Sequence, residues 1–275
     1  MGDDDGSLRY MVRGYSRDLP IRRPTSPILD EDQVSDSLRN VPFLVSEIPE
    51  KGMGLVAARL IATGAPFFTE RPLFTQPSAC TNSTILGELA LHTRDEQREF
   101  FSLSNKYKSG RKVLPGLGIF RTNAVPCPIM KANCAEERLG LFFAAARLNH
   151  SCTPNVSRVW DSEEQVLKFY ALRHIGPGEE LCISYLDVLE TRDERRAELW
   201  SHFGFECACS VCTLQGTALE ESDYRRAAIR RLYNEMCTCT NEPEIGIQKA
   251  SGWLNSVVEL PEYSMIIRFN WPCSS

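Results

Sequence analysis

The sequence predicts an α+β protein: two blocks of short strands with helical stretches between and after them. Three observations carry this. Residues 43–75 and 149–188 hold short apolar runs, alternating with polar side chains or bounded by Gly and Pro, which is the period of half-buried strands. Thr93/Glu96, Asn133/Glu136 and Thr191/Glu194 have the three-residue spacing of helix start signals. The chain has 275 residues, 43% hydrophobic and 24% charged, enough to bury a core and far from the composition of a disordered chain.

Residues 1–42 are polar and rich in Asp, Arg, Ser and Pro, and read as an extension draped on the surface. From 43 to 75, Phe43, Val45 and Ile48 lead into a turn at Lys51-Gly52-Met53-Gly54, Leu55-Val56-Ala57 reads as a strand, and extended chain resumes after Thr63-Gly64. Residues 76–138 differ in character and read as an insert. Within them a helix starting at Thr93 turns Phe100 and Phe101 inward, and Lys106–Lys112 is a basic loop. The pair Asn133/Glu136 predicts another helix, whose stripe Leu139, Phe142, Phe143 and Ala146 follows the i, i+3, i+4, i+7 rule and is core.

Strands return in 149–188. Leu167, Phe169 and Ala171 alternate with Lys168 and Tyr170, and Leu181, Ile183 and Tyr185 with Cys182 and Ser184. A helix opens at Thr191 and stops at Gly204. Residues 216–275 read as helical, with Ile229, Leu232, Tyr233 and Met236 on one face.

Charge and cysteine usage narrow the function. Lys and Arg total 31 against 36 Asp and Glu, a net charge of −5, which disfavours direct nucleic-acid binding through a basic face. The longest apolar run, Leu139–Leu148, contains Gly140 and Arg147, so no membrane association is expected. The opening Met1–Gly6 has no export pattern, and Gly6 breaks a myristoylation signal; the expected location is nucleus and/or cytoplasm. Eleven cysteines in such a chain point to thiols or metal ligands rather than disulfides. Cys207, Cys209 and Cys212 form a C-x-C-x-x-C that needs a fourth ligand from elsewhere to complete a zinc tetrahedron.

Four elements stand out together: Lys51-Gly52-Met53-Gly54; Arg147-Leu148-Asn149-His150-Ser151-Cys152 with Pro154-Asn155; Gly178-Glu179-Glu180-Leu181 running into Tyr185; and the Cys207 cluster. In this order they resemble the SET domain of protein-lysine methyltransferases, most closely the SET-and-MYND branch and its fungal relatives, over roughly residues 43–215. The resemblance implies a β-clip fold of small sheets with pseudoknot-like threading, divided as SET N-terminal part 43–75, insert 76–138, SET C-terminal part 139–190, post-SET zinc region 191–215 and helical segment 216–275. It implies methyl transfer from S-adenosyl-L-methionine to a lysine ε-amine of a histone or other protein, with a non-catalytic SET-fold scaffold as the alternative. Tyr185 would be catalytic, orienting amine and methyl. Lys51, Gly52, Met53, Asn123, Asn149, His150, Tyr185, Phe203 and Phe205 would bind the cofactor, His150 chiefly through its backbone. The fourth zinc ligand would be Cys152, giving one structural ion on Cys152, Cys207, Cys209 and Cys212.

The sequence departs from the branch in one respect. The insert holds only Cys80, Cys127 and Cys134, too scattered for a two-zinc MYND module. Cys237-Thr238-Cys239 has no partner pair either. A third reading, a cysteine hydrolase using Cys152 and His150, is disfavoured because near neighbours rarely reach nucleophile–base geometry.

Overall fold

The structure, a computed structural model, describes residues 41–108, 113–131 and 134–237. Its strands are β1 (Phe43–Ile48), β2 (Gly52–Ala57), β3 (Phe68–Glu70), β4 (Phe74–Pro77), β5 (Val125–Pro126), β6 (Ile129–Lys131), β7 (Cys134–Glu136), β8 (Arg138–Leu141), β9 (Asn149–His150), β10 (Val156–Asp161), β11 (Val166–Ala171) and β12 (Glu180–Ile183). The helices are α1 (Asn82–Leu89), α2 (Arg94–Ser102), α3 (Pro115–Asn123), α4 (Arg192–Phe203) and α5 (Gly216–Cys237), with a 3-10 turn at Ala145–Arg147.

The strands form small sheets in the orders β1-β2-β12-β9, β10-β11-β3, β4-β8-β5 and β6-β7. In the first, β1 and β2 make a hairpin, β12 pairs antiparallel with β2, and β9 runs parallel to β12 with Cys182 opposite Asn149 and Ile183 opposite His150. The parallel step brings two motifs distant in sequence side by side. Asn155 locks it: its Oδ1 accepts the Cys182 N–H at 2.8 Å, and its Nδ2 donates to the Glu180 carbonyl at 2.8 Å. A buried amide satisfied on both ends specifies one register.

The first two sheets enclose a core of Leu55, Ala57, Leu148, Val156, Leu167, Phe169, Leu181 and Ile183. A second core joins Ile85, Leu89, Phe100 and Phe120 of the insert to Phe74 and Leu141 of the flanking strands β4 and β8, and in it Phe74 and Phe120 stack at 5.6 Å. Both expected capping boxes form here and at α4: Thr93 with Glu96, and Thr191 with Glu194. Gly204 ends α4 in the left-handed conformation, φ 73°, as expected. On α5, Ile229 is buried and Leu232 and Tyr233 are partly so; the Met236 and Cys237 side chains and Thr238–Ser275 lie outside the described residues.

Two expectations are corrected. The helix over 133–148 is absent among the described residues: Arg138–Leu141 is a strand between β4 and β5, and only a 3-10 turn precedes Asn149. Phe142 is core as expected and Leu139 packs on the insert core, but sheet pairing outweighs the helical spacing. The expected turn at Lys51–Gly54 falls instead at Pro49–Lys51, with Glu50 at φ 62°, and Gly52-Met53-Gly54 are already strand.

Candidate functional site

A cleft of about 550 Å³ opens between the β1-β2-β12-β9 sheet, the 3-10 turn, the insert and the segment after α4. Of the residues expected at a cofactor site, Lys51, Met53, Asn123, Asn149, Tyr185, Phe203 and Phe205 line it. Gly52 and His150 do not, although their chain neighbours Met53 on β2 and Asn149 on β9 do.

Each lining group is held by a particular bond. Glu180 reaches from β12 to take an ion pair from Lys51 Nζ at 2.7 Å and a hydrogen bond from Asn149 Nδ2 at 3.0 Å. Partial burial alone would lower the Lys51 pKa, but the Glu180 carboxylate outweighs it and the net shift is upward. Asn149 can approach this closely because Gly54 has no Cβ: one placed there would lie 2.6 Å from Asn149 Nδ2. Asn123 spends its amide donors on the Ser104 and Ile119 carbonyls, at 2.7 and 2.8 Å, so its role in the wall is first to hold the insert closed.

Tyr185 donates its hydroxyl to the Leu148 carbonyl at 2.7 Å, and burial pushes its pKa up to about 12. Its ring meets Phe203 at 5.0 Å and His150 at 5.3 Å; Phe205 lies 6.0 Å from His150, and Lys106 Nζ sits 5.1 Å over Phe203. These rings make one aromatic wall, suited to a flat heterocycle.

His150 is a structural bridge. Its Nδ1 accepts the Tyr185 backbone N–H at 3.0 Å, so Nε2 carries the proton and faces Cys152 Sγ at 3.3 Å. Burial presses its pKa down to about 4. The two side chains therefore touch although they are near neighbours in sequence. The contact nonetheless runs from an N–H donor to a sulfur with no solvent exposure, which is not a base poised on a nucleophile.

The four expected cysteines converge. The Sγ atoms of Cys152, Cys207, Cys209 and Cys212 all lie within 4.8 Å of one another, with Cys152 at 4.0 Å from Cys207 and 3.5 Å from Cys212. A tetrahedral zinc with Zn–S bonds of about 2.3 Å requires sulfurs about 3.8 Å apart, and these distances bracket that value. Fully buried Arg195 donates Nε to Cys152 Sγ at 3.2 Å and lies 3.8 Å from Cys212, offsetting the negative charge four thiolates would leave around a divalent ion. Cys80 and Cys127 lie apart in the insert and main cores; burial raises the Cys127 thiol to about 11.

Sequence reasoning missed part of the wall. Ser104, Lys106, Arg121, Thr122, Arg147 and Arg158 also line the cleft, most of them from an insert without a motif. A smaller recess of about 210 Å³, lined by Pro154, Val156, Ser157, Leu172, Ser184 and Leu186, shares Arg158 and Ile183 with the larger one.

Comparison with known proteins agrees with this arrangement. The model of the SET domain matches residues 52–186. The histone-lysine N-methyltransferase set5 of Schizosaccharomyces pombe is 34% identical over 71% of this chain and 59% of its own length. The histone-lysine N-methyltransferase SMYD3 of Mus musculus is 44% identical over 32% of the chain and 20% of its length, and the protein-lysine N-trimethyltransferase SMYD5 of Danio rerio 41% identical over 30% and 20%. The chain thus spans less than two thirds of the length of these relatives. Paired β9 and β12, the Asn149-His150 and Tyr185 motifs they align, and the matched family model together identify residues 52–186 as a SET domain.

Proposed function

We propose that this chain is an S-adenosylmethionine-dependent protein-lysine N-methyltransferase with one structural zinc. The observation that carries the reading is the pair of recesses that share Ile183 and Arg158 in their linings, the larger walled by Asn149, Tyr185 and the phenylalanine rings, the smaller by Ser184 and Leu186. The larger cleft has the size of a small-molecule site and combines ring faces with a few fixed polar groups.

Bound there, S-adenosylmethionine supplies an electrophilic methyl group. The protein's share is placement. Glu180 fixes both Lys51 and Asn149, leaving the Asn149 Oδ1 and the β2 backbone to hold the amino-acid and nucleoside polar groups. Phe205 and Phe203 give a flat apolar surface to a purine. Tyr185, its hydroxyl held on the Leu148 carbonyl, fixes the inner end of the acceptor channel, so that the amine meets the methyl in line. Its pKa of about 12 keeps the hydroxyl protonated, so it orients rather than deprotonates, and solvent takes the proton. The cysteine cluster pins the segment bearing Phe205 against β9. Because the matched relatives carry histone-lysine and protein-lysine names, histones are the first acceptors to try, and nucleus and cytoplasm the compartments to search.

The test is incubation of the zinc-loaded protein with methyl-labelled cofactor, core histones and a protein extract, followed by mapping of methyl-lysine. Labelled lysine is the expected result. Calorimetric binding of cofactor with no labelled lysine in any acceptor would overturn the enzymatic reading in favour of a scaffold.

A further inference from the structure

Arg158 is the one charged residue that lines both recesses. The β10–β11 ladder pairs Val156 with Ala171, Arg158 with Phe169 and Trp160 with Leu167. Strand alternation therefore sets Arg158 on the core-facing side between Val156 and Trp160, where an apolar side chain is the rule. A guanidinium placed there costs free energy unless something compensates. Among the described residues it makes no ion pair, and neither recess is lined by Asp or Glu. Loss of solvent around the guanidinium lowers the Arg158 pKa, and neighbouring Tyr185 acts in the opposite direction.

The other charges around the site do not cancel it. Lys51 is spent on Glu180; Lys106, Lys108 and Arg121 are exposed on the insert side; Arg147 donates to Ser102 Oγ and feels Glu99. Glu180 and Cys182 also act on Tyr185, but Glu180 is already neutralised by Lys51. Among the described residues, the lining shared by the two recesses thus carries a partly buried positive charge with no acidic partner.

We propose that Arg158 is a positioning residue that holds the acceptor lysine amine in its neutral, nucleophilic form where the two recesses meet. This rests on the methyltransferase reading above. A lysine arrives as an ammonium, with a reference pKa of about 10.4, and has no lone pair to give. Beside a partly buried cation the ammonium is disfavoured twice, by desolvation and by like charge, so its proton leaves to solvent. The freed lone pair forms the N–C bond as the C–S bond breaks, its electrons staying on sulfur to give the neutral thioether, S-adenosylhomocysteine. One proton is released per methyl, and the product amine must lose another proton before a second transfer.

The test is the pH dependence of kcat, which reports groups in the bound complex, with core histones as acceptor. Arg158→Met should move the governing pKa upward by about one unit, the size expected of a like charge several ångströms away at intermediate dielectric. Arg158→Lys should keep the wild-type profile. Cofactor affinity should stay within threefold in both. An Arg158→Met profile superimposable on wild type overturns the proposal. If that variant does not fold, the wild-type protein answers instead. With S-adenosylhomocysteine bound, so that no sulfonium contributes, a ¹³C-dimethylated lysine in the peptide mapped as methylated is titrated by NMR. A bound amine at least one unit more acidic than the free one supports the proposal; an unshifted amine ends it. A wild-type protein that labels no acceptor sinks the methyltransferase reading itself, whereas an active enzyme with an unmoved profile sinks only the role of Arg158.

Discussion

Gly54→Ala is the sharpest probe of how the cleft is built. The added methyl would lie 2.6 Å from Asn149 Nδ2 and 2.6 Å from Ile48 Cγ1, with Glu180 Oε1 at 3.5 Å. Non-bonded contact to carbon needs about 3.5 Å, so each neighbour must yield by nearly an ångström. Ile48 is a side chain of the β1–β2 hairpin and has some freedom, whereas Asn149 is tied to Glu180 by a bond of 3.0 Å that such a displacement would break. Overpacking of this kind costs about 1–3 kcal/mol. The lost bond to a carboxylate adds about 1–2 kcal/mol. A melting point lower by roughly 4–20 °C follows for a domain of this size. Calorimetric titration with S-adenosylhomocysteine should show affinity weakened at least tenfold, because Asn149 no longer faces the cleft. Gly64→Ala is the control: Gly64 has φ 122° but no atom within 4 Å of the added Cβ, so strain should lower stability and leave affinity intact. Wild-type affinity in Gly54→Ala would refute the idea that this glycine exists to admit Asn149.

Tyr185→Phe should bind cofactor within about threefold of wild type yet lose kcat by about a hundredfold or more, the size of a lost orienting group; single-turnover kinetics would show it, and unchanged turnover would remove Tyr185 from the reaction. Cys209→Ser, or chelation of the wild type, should release metal measured by mass spectrometry and expose the segment after α4 to proteolysis, since metal and folding are coupled there. Glu70, partly buried and accepting the Ala144 and Ala145 N–H groups at 2.8 and 3.2 Å, has its pKa raised to about 7 by the loss of solvent around it. A carboxyl group raised in the folded state contributes its stability fully below the unfolded value of about 4.5 and loses it as pH rises through about 7. Urea midpoints should therefore fall by the equivalent of about 2 kcal/mol between pH 5 and pH 8, and Glu70→Gln should flatten that dependence.

What the sequence showed follows from how local each signal is. The boxes at Thr93 and Thr191 close within one turn of chain, and the stop at Gly204 needs only a left-handed residue, so these were legible. Leu139, Phe142, Phe143 and Ala146 were misread because their spacing also suits a strand followed by a tight turn. The deciding partner, β4, lies more than sixty residues earlier, with Thr75 opposite Gly140. A Cβ on Gly140 would press the Phe142 ring at 2.7 Å, which is a tertiary fact no window of sequence contains. Asn149, Tyr185 and the cysteines were readable because their motifs lie in contiguous runs. The insert's share of the wall was not, since Ser104, Lys106 and Arg121 reach the cleft from two unrelated segments. Arg158 did carry a signal: an arginine in phase with Val156 and Trp160 on a core-facing strand is out of place unless a site uses it.

The geometry also explains why one short motif serves both the cleft and the cysteine cluster. Asn149 faces the cleft, Cys152 faces the three cysteines after α4, and His150 lies between them. Its ring joins the two by a pair of hydrogen bonds, one to the Cys152 sulfur and one from the Tyr185 backbone. The position of the Tyr185 main chain is therefore referred, through a single imidazole, to a sulfur whose own place is set by Cys207, Cys212 and Arg195. Occupying the cluster would stiffen that chain of contacts without touching the reacting atoms. Loss of the metal should then reach catalysis by two routes: release of Phe205 from the aromatic wall, and drift of Tyr185 from the junction of the two recesses. The routes separate experimentally, since the first weakens cofactor binding and the second lowers kcat at saturating cofactor.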